Sequence, residues 1–377
     1  MGKINSRKQK ENIIEECYKQ ALETIRKCST KNGMYASGGI KGYNAVWARD
    51  SMITMIGASL SDDKRIRETY KKSIILLAKH QSKRGQIPNA VDIFSERKPH
   101  VDFASIDSSL LFIIGHHFYL KRYQKNPLAG KYKNAIKKAL TWLQYMDTGE
   151  NGLLVQLPTT DWQDAFPHKY GYTINTHALY YKSLQITGNK KEAKRIKFMI
   201  NEKKDTKLWT GNYYASYRWK NHNKYKEIGE WFDTLGNLFS IIFGLADENM
   251  AKNIIRYIEN NKINSPYPAK AIFPPIKKGS KNWQEYFEDC DAREPNSYLN
   301  GGIWPFIGGV YVLSLIKLGR IKQAQKELTN LAESNLKGNF PEWIHPKTKK
   351  TYGNLQAWDA GMYILAYKSL KKKKVLL

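Results

Sequence analysis

The sequence predicts an all-α fold, an (α/α)6 toroid of helical hairpins whose working residues gather in long loops at one end. Three observations lead there. Apolar residues recur at helical spacing along almost all of the 377 residues, and strand-like alternation is scarce. The helical segments fall into pairs, several of them joined by short turns. Longer loops rich in Gly, Pro, Trp and Asp connect one pair to the next, and loops beyond about 15 residues are uncommon unless they carry function.

Taken in order, the periodicity predicts helices near 7–28, 50–61, 65–82, 106–123, 130–146, 173–187, 190–204, 233–245, 248–261, 302–317, 320–335 and 357–371. Thr187-Gly188-Asn189, Asp247-Glu248-Asn249 and Gly319-Arg320 are the short turns within pairs. The long connections are 29–49, 83–104, 147–172, 205–232, 262–301 and 336–356. Hairpins that alternate short and long connections close naturally into an inner and an outer barrel. An open solenoid is the competing architecture, but these hairpins share no repeat motif and their loops are irregular. No linker or shift in composition divides the chain, so residues 1–377 are expected to form one domain.

Composition narrows the class. With 41% hydrophobic and 25% charged residues, a large core is affordable and wholesale disorder is excluded. Lys+Arg 62 against Asp+Glu 34 gives +28, which by itself suggests a nucleic-acid partner. The lysines, however, are spread over nearly every predicted helix, with no zinc-finger spacing, RNP-like strand or phosphate-binding glycine loop beside them. They read as a solvated coat, and no nucleic-acid partner is expected. Cys17, Cys28 and Cys290 are too scattered for a disulfide framework or metal site, which points to a reducing compartment. The N-terminus lacks a secretory apolar stretch, and no segment approaches the ~18 apolar residues of a membrane helix. A cytoplasmic, membrane-free protein is expected.

The loops carry the chemistry. Tyr43 to Asp50 reads Tyr-Asn-Ala-Val-Trp-Ala-Arg-Asp and opens a helix. Asp50 there is either an N-cap or an acceptor for sugar hydroxyls, with Arg49 holding a carboxylate. Asp107 also stands at a helix start, as cap or ligand contact. The central loop holds Asp161-Trp162-Gln163-Asp164, where Trp162 and Phe166 offer an apolar wall that would raise a carboxyl pKa. Asn300 to Phe306 and Pro341-Glu342-Trp343, followed by Gln356-Ala357-Trp358, complete the set. Two carboxyls facing one bond, lined by stacking aromatics, suit glycosidic chemistry.

At these motifs the chain resembles the six-hairpin (α/α)6 glycosidases, in particular the neutral/alkaline invertase family and the glucosidase domain of glycogen-debranching enzymes. The resemblance runs from about residue 40 to the C-terminus, carried by Tyr43–Asp50, Asp107-Ser108, Phe232–Asn237, Asn300–Pro305, Phe340–Trp343 and Gln356–Trp358. The invertases place an acidic Asp shortly before an Ala-Leu-aromatic-Tyr segment, and Asp164 stands so before Ala178-Leu179-Tyr180-Tyr181. The debranching glucosidases carry Trp-x-Asp, matched by Trp162-Gln163-Asp164. Both choose Asp164 as general acid, with Asp161 the fallback. The Pro-Glu-aromatic segment ahead of Gln-x-Trp makes Glu342 the general base. Two departures remodel the leaving-group side: Ala165-Phe166 follow the acid where the invertases have basic residues, and Glu342-Trp343-Ile344-His345 replaces Glu-Tyr-Tyr-Asp.

The resemblance thus implies an inverting glycoside hydrolase that needs no metal or cofactor, with carboxyls about 6.5–9.5 Å apart. Its sugar pocket is expected to comprise Trp47, Arg49, Asp50, Asp107, Asp161, Trp162, Asn300, Trp304, Trp343, Gln356 and Trp358. An α-glucoside such as an α-1,6-linked glucan stub is the expected substrate, with sucrose as the alternative. A non-catalytic sugar-binding barrel and a basic nucleic-acid-binding helical protein are the readings from other classes.

Overall fold

The computed structural model of the chain describes residues 2–39, 43–92, 100–123, 128–222 and 225–377. Twelve helices longer than one turn are present among them. They are α1 (Gly2–Cys28), α2 (Ala48–Ala58), α3 (Lys64–Lys79), α4 (Asp107–Arg122), α5 (Lys133–Gln144), α6 (Ile174–Ile186), α7 (Lys190–Asn201), α8 (Thr234–Phe243), α9 (Glu248–Asn260), α10 (Pro305–Lys317), α11 (Ile321–Gly338) and α12 (Ala357–Lys371). A single further turn, Leu128–Lys131, precedes α5.

The even-numbered helices form the inner ring. Helix α2 packs on α4, α4 on α6, α6 on α8, α8 on α10, α10 on α12, and α12 returns to α2. Their sequences suit burial on all sides: every residue of α2, and all but Lys368 and Lys371 of α12, is buried. The odd-numbered helices are amphipathic and lie outside. Helix α3, for example, buries Ile66, Thr69, Tyr70, Ser73, Ile74 and Leu77, the three-and-four spacing of one helical face. Glycine closes the ring at the α12–α2 seam. A Cβ on Gly57 would lie 1.8 Å from the Gly361 carbonyl oxygen, and one on Gly361 would lie 2.5 Å from that of Thr54. No larger side chain fits between these two backbones.

The fold is not purely helical. Three small antiparallel sheets lie in the long loops: β1 (Val46–Trp47), β2 (Ala90–Asp92) and β3 (His100–Asp102); β4 (Tyr172–Thr173), β5 (Ala215–His222), β6 (Tyr225–Asp233) and β7 (Ile272–Phe273); and β8 (Trp343–Ile344) with β9 (Thr351–Tyr352). The expectation of an all-α chain is corrected here. The largest hairpin, β5–β6, fills what the helical periodicity leaves as a loop, and its Tyr217, Trp219, Ile228 and Phe232 are residues suited to a pleated surface. Helix α10 also starts at Pro305, not 302. Trp304 keeps an extended backbone (φ −113°, ψ 108°), and proline is suited to the first helical position.

Each long connection leads from an outer helix into the N-terminus of the next inner helix. The loop residues therefore converge at one end of the barrel, with the inner-helix N-termini pointing into them.

Candidate active site

Two connected cavities occupy that end. The inner one, about 170 Å³, is lined by Trp47, Arg49, Asp50, Trp162, Asp164, Trp304, Glu342, Gln356 and Trp358, together with Ala36, Tyr43 and Tyr298. The outer one, about 800 Å³, shares Tyr43, Tyr298 and Glu342 with it and adds Trp343 among others. Residues from both halves of the sequence, chosen for their motifs, thus meet around one hole.

The β1–β2 pairing and the first turn of α2 position the Arg49 side. The Ala48 amide donates to the Asn89 carbonyl at 2.8 Å, fixing where the helix begins. Trp47 occupies the cap position, so Asp50 lies inside the first turn and is not the N-cap. Asp107 is likewise the first residue of α4, after Ile106. Capping explains neither acid. Arg49 is 3% exposed and extends one guanidinium nitrogen to Asp107 at 3.5 Å and the other to Asp164 at 3.3 Å. Asn89 Oδ1 accepts from the same guanidinium at 3.5 Å. Burial alone would weaken the hold of Arg49 on its proton, but Asp107, Asp164 and Asp50 more than offset it and keep the group charged.

Asp107, Asp161 and Asn300 do not reach the cavity, which corrects their expected place in the sugar pocket. Asp107 is fully buried beneath Arg49, accepting from the Ser105 hydroxyl. Asp161 is fully buried against Lys169 at 2.8 Å, accepts from the Gln163 backbone amide, and lines neither cavity. Asn300 spends its amide on the Ile276 backbone, accepting at 2.7 Å and donating at 2.8 Å. In each case a polar side chain buried among backbone and charge is satisfied by the protein itself. Phe166 also turns away, packing on Phe287 with ring centroids 4.2 Å apart.

Asp164, by contrast, is 45% exposed at its side chain, because it faces the opening while protein surrounds it on the other sides. The loop that carries it is pinned by Lys169. That lysine is fully buried between Asp161 at 2.8 Å and Asp233 at 3.0 Å, and donates to Gln163 Oε1 at 2.5 Å. Asp233 in turn caps α8 through the Gly236 amide at 3.1 Å. The acid loop is therefore tied to the start of an inner helix through one cation. Sequence reasoning missed Lys169, since nothing distinguishes it from the other lysines until the fold buries it.

The opposite wall is built on the turn after α11. Asn339 and Phe340 adopt left-handed backbone (φ 52° and 59°), reversing the chain so that the Glu342 amide donates to the Tyr352 carbonyl at 2.9 Å. Gly353, at φ 63°, makes room: a Cβ there would stand 2.8 Å from that of Glu342. Tyr43 donates its hydroxyl to Glu342 Oε1 at 3.1 Å. Tyr43 lies within a motif the sequence reading singled out and Tyr298 just ahead of one, but neither was named as a site residue.

Four tryptophans supply the apolar wall. Trp304 meets Trp162 and Trp358 edge-on, each at 5.7 Å, and Trp358 stacks on Phe306 at 4.2 Å. In this setting burial pushes both Asp50 and Glu342 up to about 7. Asp50 and Asp164 push Glu342 further, against the Tyr43 hydrogen bond. Burial raises Asp164 as well, while Arg49 pulls it back. Three carboxyls, Asp50, Asp164 and Glu342, share this cavity, burial biases each toward its protonated form, and their mutual repulsion couples their titration. An ionised carboxylate and a protonated carboxyl can coexist here, the requirement for acid–base hydrolysis.

Comparison with known proteins gives a family match over part of the chain and a likeness of fold over nearly all of it. Residues 229–373 match the family model described as alkaline and neutral invertase. That stretch includes Glu342, Gln356, Trp304 and Trp358 but not Arg49, Asp50 or Asp164. Curated relatives include alkaline/neutral invertase C, mitochondrial, of Arabidopsis thaliana, 28% identical over 37% of this chain and 22% of its own length. Another is neutral/alkaline invertase 1, mitochondrial, of Oryza sativa subsp. japonica, 31% identical over 35% of this chain and 22% of its own length. The matched stretch thus spans about a fifth of the length of these relatives. Among solved structures, a GH63 mannosylglycerate hydrolase from Thermus thermophilus, in complex with glucose, covers 92% of this chain and 99% of its own at TM-score 0.68 and 13% identity. A wild-type glycosidase covers 96% and 97% at TM-score 0.67 and 13% identity. The chain has the six-hairpin glycosidase fold. Among the described residues no helix is long and apolar enough to cross a membrane.

Proposed function

We propose, from a six-hairpin glycosidase fold whose residues 229–373 match the invertases, that this chain is an inverting glycoside hydrolase acting on an α-glucoside of disaccharide size, sucrose first. The observation that carries the reading is the convergence of Asp164, Glu342, Arg49 and Asp50 with four tryptophans on one 170 Å³ cavity. The relatives named above are invertases and a mannosylglycerate hydrolase, so the disaccharide reading takes precedence over the α-1,6-linked glucan stub expected from the sequence. The whole chain acts as one catalytic unit, located in the cytoplasm.

In this mechanism Asp164 gives its proton to the glycosidic oxygen as that bond breaks. Glu342, ionised, takes a proton from a water that attacks the anomeric carbon from the opposite face. The products are a free sugar of inverted anomeric form and the protonated leaving group. Room for the water requires the carboxyls to stand about 6.5–9.5 Å apart. Asp50 and Gln356 accept and donate to hydroxyls of the bound ring, and the tryptophans cover its C–H faces.

One observation favours the reverse assignment. Arg49 lies beside Asp164 and favours its ionised form, whereas Glu342 has no cation beside it among the described residues and is pushed up to about 7. α-Glucosyl fluoride separates the two, because fluoride departs without a proton donor. Removing the acid spares fluoride hydrolysis relative to sucrose; removing the base spares neither. Asp164→Asn should keep most fluoride turnover and lose sucrose turnover by roughly 10²–10⁴-fold, and Glu342→Gln should lose both. The opposite pattern reverses the roles. No turnover of either substrate by the wild type, or product of retained anomeric form by NMR, refutes the reading.

A further inference from the structure

The outer cavity has a charge character opposite to that of the molecule around it. The chain carries +28, yet among the described residues no Lys, Arg or His lines this cavity, whereas Asp289, Asp291 and Glu342 do. In the inner cavity Arg49, the one cation among the described lining residues, is already committed to Asp107 and Asp164. Three basic groups on the flanking segments have partners of their own. Lys278 pairs with Glu288 at 2.5 Å, Arg293 donates to the Glu288 carbonyl at 2.8 Å, and Lys350 lies 5.1 Å over the Tyr352 ring.

Aromatic surface complements the carboxylates. Trp343 and Tyr352, paired across β8–β9, stack face to face at 4.0 Å with planes 2° apart, and both line the cavity. Tyr286, 45% exposed, stands on the 285–289 turn of the same wall. The cavity meets the inner one at Tyr43, Tyr298 and Glu342, and Ala165, next to the acid Asp164, lines its wall. Whatever leaves must therefore sit among flat apolar rings and negative charge. Carboxylates accept from hydroxyls and repel anions.

We propose that this cavity is the leaving-group site and that it selects a neutral polyhydroxylated group, a sugar or polyol, against phosphorylated or carboxylated ones. The inference rests on the glycoside hydrolase reading above. Asp289 and Asp291 are its specificity-determining residues; their charge rejects anions, and the aromatic surface of the stacked Trp343–Tyr352 pair meets the ring.

The test compares kcat/KM for three substrates on the wild type and on Asp289→Asn/Asp291→Asn. They are α-glucosyl fluoride, which places nothing of size in the outer cavity, sucrose, and sucrose phosphorylated on its fructosyl group. The wild type should prefer sucrose over its phosphate ester by about tenfold or more. The double variant should narrow that ratio by about threefold to tenfold per charge removed, as screened Coulomb repulsion predicts, and leave fluoride turnover unchanged. Unchanged fluoride turnover also shows that the variant folds. A wild type inactive on the fluoride defeats the underlying reaction reading. Fluoride turnover with the phosphate ester accepted as well as sucrose, with neither disaccharide accepted, or with a ratio the variant does not move, overturns the leaving-group assignment alone. If the variant itself loses fluoride turnover, the single variants Asp289→Asn and Asp291→Asn carry the same comparison.

Discussion

Arg49 stands 3.3 Å from Asp164 and 3.5 Å from Asp107, so one buried guanidinium joins the acid loop to the first turn of α4. Replacing it with Met leaves Asp107 buried and unpaired, which should cost roughly 3–5 kcal/mol of stability. It also removes the charge that pulls Asp164 down, so Asp164 should titrate higher still. If Asp164 is the acid, the alkaline limb of the kcat/KM profile moves to higher pH; if it is the base, the acid limb does. Activity should fall by about 10²-fold through misplacement alone. A profile that does not shift in either limb removes Arg49 from control of Asp164.

Glu342 and Asp50 are both raised to about 7, which fixes a pH dependence of stability. Between their unfolded values near 4 and about 7, the folded chain binds more protons than the unfolded one. Stability from these groups is full below pH ~4 and is lost as pH rises toward and through ~7. Glu342→Gln, which keeps an acceptor for Tyr43, should therefore melt higher than wild type at pH 7.5, by roughly 1–3 °C, while abolishing turnover. The gain should vanish at pH 4. A Tm difference that stays constant across this range contradicts the raised value.

Lys169 should behave as a structural cation. Lys169→Met strands Asp161 and Asp233 in the interior and should lower stability by about 3–5 kcal/mol. Adding Asp161→Asn removes one of the stranded charges and should recover part of that loss. Calorimetry on the two single variants and the double gives the coupling directly; simple additivity speaks against the network.

The barrel seam offers a test without charge. Gly57→Ala places a methyl group against the Gly361 carbonyl and must push α2 from α12. A loss of about 1–3 kcal/mol or more in urea unfolding is expected, whereas a neutral result means the helices part freely.

The sequence by itself determined the helices, because burial writes its own period into the chain. Inner helices such as α10 are apolar all round and outer ones such as α3 along one face, so type and pairing were legible to within a few residues. The motif acids were legible as well, since Trp162-Gln163-Asp164 and Pro341-Glu342-Trp343 hold residue types a solvated turn does not require. Only the tertiary structure decided which acids are available. Asp161 and Asp164 are three positions apart in one loop and look alike in sequence, yet one is sealed against Lys169 and the other opens into the cavity. Lys169 itself, the β5–β6 hairpin and the acid-lined outer cavity arise from contacts between segments distant in the chain. Burial and partners set a carboxyl's proton affinity, and neither is a property of its local sequence.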